Sequence, residues 1–180
     1  MKKVEHGKTF DRNAANPPAS EIFHNTVTEG YPEHWHTAIE IIMPTRGEYE
    51  VVVGKDSYNL KEGDIIMINS GVVHGMRFVS QGERIVMLVE PGCVENQEEM
   101  ETIFLRLPAI YFKKEDEEDP FYLFLRSQIL ELVREYDNEG AVMTHRICTG
   151  LKELFSEFGR KGFSDANAQN TFGAMKQQEY

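Results

Sequence analysis

Between residues 22 and 90, apolar and β-branched positions come in short runs, at 39–43, 48–53, 57–60, 64–68, 72–79 and 84–89. They are separated at Arg46-Gly47, Gly54-Lys55-Asp56, Lys61-Glu62-Gly63, Ser70-Gly71 and Gln81-Gly82. Glycine and polar residues at these breaks supply the backbone freedom and local hydrogen bonding that a chain reversal needs. Short strands at this cadence predict an antiparallel barrel or sandwich. The run Ile39-Glu40-Ile41-Ile42-Met43 is apolar at both parities. Such a strand is a wall between two packing surfaces, with the barrel interior on one side and helices or a partner subunit on the other.

After Pro91-Gly92 the period changes from that of a strand to that of a helix. Residues 98–107 read as a short helix stopped before Pro108, and the acidic run 115–119 as a solvated loop. A helix over 120–136 starts from Asp119 as cap and Pro120 in its first turn, and spaces Leu125, Ile129, Leu132, Val133 and Tyr136 along one face. It ends at Asp137-Asn138-Glu139-Gly140, and a second helix over 141–158 carries Ile147, Leu151, Leu154, Phe155 and Phe158. The short connection predicts an antiparallel helical hairpin. Its apolar stripe reads as internal core, as a dimer interface through Ile147, Leu151, Leu154 and Phe158, or as both, since it exceeds what one barrel face can cover. The polar segment 1–20, with Asn16-Pro17-Pro18, reads as an arm, and 161–180 as a linker. The expected division is therefore arm 1–20, barrel 21–112, hairpin 119–160 and linker 161–180.

The chain has 180 residues, 41% of them hydrophobic, enough for one substantial core. Cys93 and Cys148 form no C-x2-C pair, so neither a zinc ribbon nor a disulfide framework is expected. A formal net charge of −11 would repel a phosphate backbone, so this chain is not expected to bind nucleic acid directly. Walker and dinucleotide-binding glycine patterns are missing. With no signal-like apolar run and no membrane span, a cytoplasmic location is expected.

Chemistry concentrates in His34-x-His36-x3-Glu40-x6-Gly47, followed by Gly63-x5-Asn69-x-Gly71-x2-His74. In an extended chain side chains alternate, so His34, His36 and Glu40 would share one face, with His74 joining from another strand. Three imidazoles and a carboxylate suit zinc, nickel, iron or manganese. The same set also reads as a hydrogen-bonded cavity lining without metal, or as partners for the hydroxyls of a small effector. The pattern resembles the two signature motifs of the cupin superfamily, in its His, His, Glu and closing Gly and then in Gly63, Gly71 and His74. It departs from them where Gly30 stands for the opening glycine, Asn69 for a proline and Phe78 for a closing asparagine. The resemblance implies a mainly β cupin (double-stranded β-helix, jelly-roll) barrel.

A barrel followed by a helical hairpin, with the cadence Tyr58-x-Leu60-x2-Gly63-Asp64-Ile65-Ile66-x-Ile68-x5-His74 and the turn Gly47-Glu48-Tyr49, is similar to the N-terminal sensory domain of AraC-type transcription regulators. That resemblance implies a small-molecule effector in the barrel, in that family often a sugar, and homodimer formation through the hairpin. DNA would be contacted by a separate domain that this chain does not contain. The expected effector contacts are His34, His36, Glu40 and His74 with Tyr49 and Met76. No acid–base pair or activated nucleophile stands out beyond these ligands, so no enzymatic activity is expected. The competing expectation is a metal-dependent cupin enzyme of dioxygenase or isomerase type.

Overall fold

The computed structural model describes residues 20–25, 30–93, 108–114, 119–137 and 143–160. The arm up to residue 19, the helix expected at 98–107, the acidic residues 115–118 and the linker 161–180 lie outside them. The described strands are β1 (Ser20–Asn25), β2 (Tyr31–His34), β3 (Ile39–Arg46), β4 (Tyr49–Val53), β5 (Asp56–Leu60), β6 (Ile65–Ile68), β7 (His74–Phe78), β8 (Glu83–Val89) and β9 (Ala109–Phe112). Two helices follow, α1 (Pro120–Asp137) and α2 (Met143–Arg160). The strands form two antiparallel sheets, ordered β1-β8-β3-β6-β9 and β2-β7-β4-β5. Together they make a cupin barrel followed by a helical hairpin, as expected from the sequence.

All six strands read from the sequence form. β1, β2 and β9 were not among those runs, and β2 and β9 are only four residues each. β2 has no apolar alternation, with Tyr31 55% exposed at its start, and it exists because its backbone pairs with β7.

The two-faced reading of the central strands holds. On β3, Ile39, Ile41 and Met43 belong to a core cluster shared with Leu125, Ile129 and Leu132 of α1 and Leu151, Leu154 and Phe155 of α2. Ile42, between them, belongs to the barrel interior with Tyr49, Val51, Val53, Leu60, Ile66, Ile68 and Met76. β6 splits likewise, with Ile65 and Met67 toward the helices and Ile66 and Ile68 inward. The hairpin thus roofs the outer face of the five-stranded sheet. It is antiparallel, since Arg146 Nη1 donates to Glu135 Oε2 at 2.8 Å while Gly150, further along α2, approaches Leu132, further back on α1.

Leu151 and Leu154 do not form the dimer face expected of them on α2. Leu151 and Leu154 are 0% and 1% exposed, buried against the chain's own sheet and α1. The outward-facing residues of β1, β3, β6 and β8 supply enough apolar surface to absorb the hairpin's buried side chains. The side chains of Ile147 and Phe158 lie outside the described set.

Local bonds lock the hairpin to the barrel. Asp119 Oδ1 accepts from Phe121 N at 2.8 Å, the expected N-cap. Tyr122 Oη donates to Gly63 O at 2.8 Å. Gly63 has φ +88°, and its N donates to Pro44 O at 2.8 Å, so this turn needs glycine. Beside it the buried carboxylate of Asp64 accepts from Lys61 N, Lys114 N and Tyr111 Oη at 2.9, 2.8 and 2.6 Å.

Candidate metal centre

The four ligand-type residues converge, but not on one strand face. β2 ends at His34, residues 35–38 leave the ladder, and β3 opens at Ile39 in the other sheet. His34 is therefore delivered by the four-stranded sheet, His36 by the corner, and Glu40 by the five-stranded sheet. His74 is the first residue of β7, where it pairs with His34 on one side and Val53 on the other. The corner is held by the second motif, since Gly71 N donates to His36 O at 2.8 Å. Gly71 has φ +75°, a conformation that L residues with a Cβ rarely adopt.

One ligand atom from each of His34, His36, Glu40 and His74 lies within 4.8 Å of every other. Glu40 and His74 are buried and the other two half-buried, so the cluster opens toward His34. Tyr31 packs edge-on against His34 at 4.6 Å between ring centroids, and Trp35, next to it in sequence, is 55% exposed.

Each imidazole is oriented by a backbone carbonyl. Nδ1 of His34 faces Pro32 O at 3.0 Å, Nδ1 of His36 faces Ala38 O at 2.9 Å, and Nδ1 of His74 faces Val72 O at 2.8 Å. A carbonyl can only accept, so each ring carries its proton on Nδ1 and turns Nε2 to the centre. Nε2 of His36 and Nε2 of His74 both sit 2.9 Å from Glu40 Oε2. If both were lone pairs they would face a carboxylate oxygen with no hydrogen between, which is repulsive. The arrangement calls for positive charge at the centre, supplied by imidazolium protons or by a metal ion. A fixed Nδ1–H donor is also what orients histidine ligands around metals, so these residues fit a divalent cation.

The electrostatics agree. Burial works against ionisation of Glu40, but hydrogen bonds and charge from His36 and His74 outweigh it and hold its pKa at about 2. Burial also disfavours the charged form of His74, yet the bond and charge of Glu40 and the Val72 carbonyl raise its pKa. His34 is lowered, chiefly by burial and then by the charge of His74, against the opposing Pro32 carbonyl. One imidazole of the set is thus biased to stay neutral and available.

Of the two further residues expected to touch an effector, Met76 is 7% exposed in the barrel interior, two positions along β7 from His74. Tyr49 is 0% exposed and lies at the far end of β4 from Val53, the residue paired with His74. It stacks instead with Arg84, whose guanidinium carbon is 4.9 Å from its ring centroid. Arg84 escaped notice in the sequence, although its parity with Val86 and Leu88 on β8 placed it inward. Arg46 and Arg77 are solvated, with side chains 61% and 64% exposed and ion pairs to Glu83 and Glu50.

A barrel of two antiparallel sheets with three histidines and a glutamate at one mouth is the architecture of a cupin. Residues 25–90 match the family described as Cupin domain. Among solved structures the chain is similar to ToxT K231A from Vibrio cholerae in its apo form, at 10% identity and a TM-score of 0.50, over 79% of this chain and 55% of that one. It is also similar to a cupin-2 domain protein from Shewanella frigidimarina, with 16% identity, a TM-score of 0.38, and 42% and 76% of the two chains covered. Against a deletion mutant of oxalate decarboxylase from Bacillus subtilis the values are 19%, 0.35, and 39% and 20%. The chain thus spans about half of ToxT and a fifth of the decarboxylase. No curated protein matches it in sequence. Among the described residues, no helix is long and apolar enough to cross a membrane.

Proposed function

We propose that this chain is the ligand-sensing half of an AraC-type transcription regulator, in which the His34, His36, Glu40 and His74 centre holds a divalent metal, a small-molecule effector, or both. The observation that carries this reading is the position of Glu40. It points into the centre from β3, while its neighbours Ile39 and Ile41 belong to the core shared with α1 and α2. A change in ligation that shifts β3 by a fraction of an ångström therefore bears directly on the hairpin, because close-packed side chains transmit displacement rather than absorb it. The similarity to ToxT, a regulator of the AraC type, extends over 79% of the chain, more than the barrel alone, and so supports the combination of barrel and hairpin.

When bound, a metal would act as a Lewis acid toward an oxygen of the effector. This chain's own residues do the rest: His36 and His74 present Nε2, Glu40 supplies negative charge, and His34 stands at the open side. Tyr31 and Trp35 beside that opening favour an effector with an apolar or ring face set against polar oxygens. In this reading the chain pairs as a homodimer, with the arm, barrel, hairpin and linker divided as the sequence suggests. Leu123 and Leu130, 49% and 38% exposed and two turns apart on α1, offer the dimer surface that Leu151 and Leu154 do not.

The test is a panel of small acids, sugars and diols screened against the metal-loaded chain, with binding and product formation measured in parallel. Saturable binding of a panel member without turnover supports the proposal. Metal-dependent turnover abolished by His36→Ala would replace it with a cupin enzyme of dioxygenase or isomerase type.

A further inference from the structure

The barrel interior holds a second polar feature that the metal centre does not use. Arg84 shares the parity of Val86 on β8 and is only 4% exposed. Its Nε and Nη1 are buried without a hydrogen bond of good geometry, and so is Oη of Tyr49, although the two side chains are close enough to shift each other's charge. Stacking over the Tyr49 ring at 4.9 Å satisfies the face of the guanidinium. Its N–H groups lie in the guanidinium plane, so stacking leaves them unmet. Arg46, Arg77, Arg134 and Arg146, by contrast, have side chains 61–69% exposed and pair with carboxylates.

Glu40 acts on this charge through space but makes no hydrogen bond to its Nε or Nη1. Arg84 pairs across the ladder with Pro44, four residues along β3 from Glu40, a separation of about 13 Å at the rise of a strand. Ile42 and Val86 occupy the space between, both packed in the inner cluster. A buried cation with unmet donors is among the costlier arrangements a fold can retain, and it is relieved by an anion that accepts from those donors. Tyr49 adds a hydroxyl donor beside it. Gln81, three residues before Arg84 in the turn leading into β8, is exposed, so this end of the barrel is near solvent.

We propose that Arg84 and Tyr49 form an anion subsite at the end of the barrel opposite His74, and that its ligand is a small carboxylate. The carboxylate accepts from Arg84 Nε–H and from the Tyr49 hydroxyl while the ring beneath keeps the guanidinium in place. No ligand of the metal centre takes part in this site, although Glu40 and Arg84 feel each other's charge.

Sodium acetate is the probe, titrated into the full chain against sodium chloride at matched ionic strength. The thermal midpoint and the Arg84 Nε–H resonance are followed together. The expected result is a saturable rise in midpoint and a saturable shift of that resonance, both lost in Arg84→Met, whose metal content stays at the wild-type level. Arg84→Lys, which keeps the charge but lacks the Nε–H, should weaken acetate at least tenfold. A midpoint rise that persists unchanged in Arg84→Met would place acetate elsewhere and overturn the proposal. Should Arg84→Met fail to fold, the wild-type resonance decides, and its failure to move as acetate saturates the midpoint change would be equally fatal.

Discussion

Glu40 and His74 come from opposite sheets and meet at 2.9 Å, Oε2 to Nε2, so a single contact ties β3 of the five-stranded sheet to β7 of the four-stranded one. The same oxygen lies 2.9 Å from His36 Nε2. Glu40 is therefore both a ligand candidate and a clasp. Glu40→Ala should lower affinity for zinc or manganese by at least tenfold, the scale on which even indirect partners of metal ligands act. Metal content after dialysis, alongside far-UV circular dichroism, separates this from unfolding. Full metal retention in the variant would show that the histidines alone hold the ion.

The pair also sets a pH dependence. Glu40, held at about 2 against an ordinary 4.5, contributes stability that is present above pH 4.5 and is lost as pH falls toward 2. His74, raised above its ordinary 6.5, contributes stability that is complete below pH 6.5 and is lost as pH climbs through the raised value. Chelator-treated protein should thus lose thermal stability on both sides of this window, and Glu40→Gln should flatten both limbs. Metal reverses the alkaline limb, because it competes with protons for Nε2. An apo protein whose midpoint is level from pH 6 to 9 would contradict the ion pair.

Burial of α2 yields the opposite outcome from a dimer-face mutation. Leu154 is 1% exposed among the sheet and α1 side chains, so Leu154→Ala should cost ~2–5 kcal/mol of folding stability. Leu151→Glu should unfold the hairpin rather than yield folded monomers. Chemical denaturation with sedimentation velocity distinguishes the two, and a folded, stable Leu151→Glu monomer would restore the dimer face to α2.

Gly150 tests the contact between the helices. A Cβ there would come within 2.8 Å of Leu132 Cδ2. That atom is the end of a flexible side chain, so alanine can be accommodated by a small shift and gains helix propensity of ~1 kcal/mol. Gly150→Val adds bulk the buried Leu132 cannot evade and should destabilise by ~1–3 kcal/mol. Metal affinity should be unchanged in the alanine variant, as measured by calorimetry.

The positions of β3 to β8, the hairpin and the identity of the four ligand-type residues were legible in the sequence, because each rests on a local rule. Period two with glycine turns marks strands, period 3.6 with an Asp–Pro cap marks helices, and histidines beside a glutamate announce themselves by type. The two apolar parities of 39–43 even announced a covered outer face. Tertiary structure alone decided what covers it, since either a helix or a second subunit satisfies the same pattern. It decided too that His34, His36 and Glu40 meet around a corner between sheets rather than along one strand, because the pull of pairing β2 with β7 and β3 with β8 outweighs the local tendency to stay extended. Arg84 shows the same division. Its inward parity is in the sequence, but its lack of a partner depends on which side chains reach that end of the barrel, and only folding determines those distances.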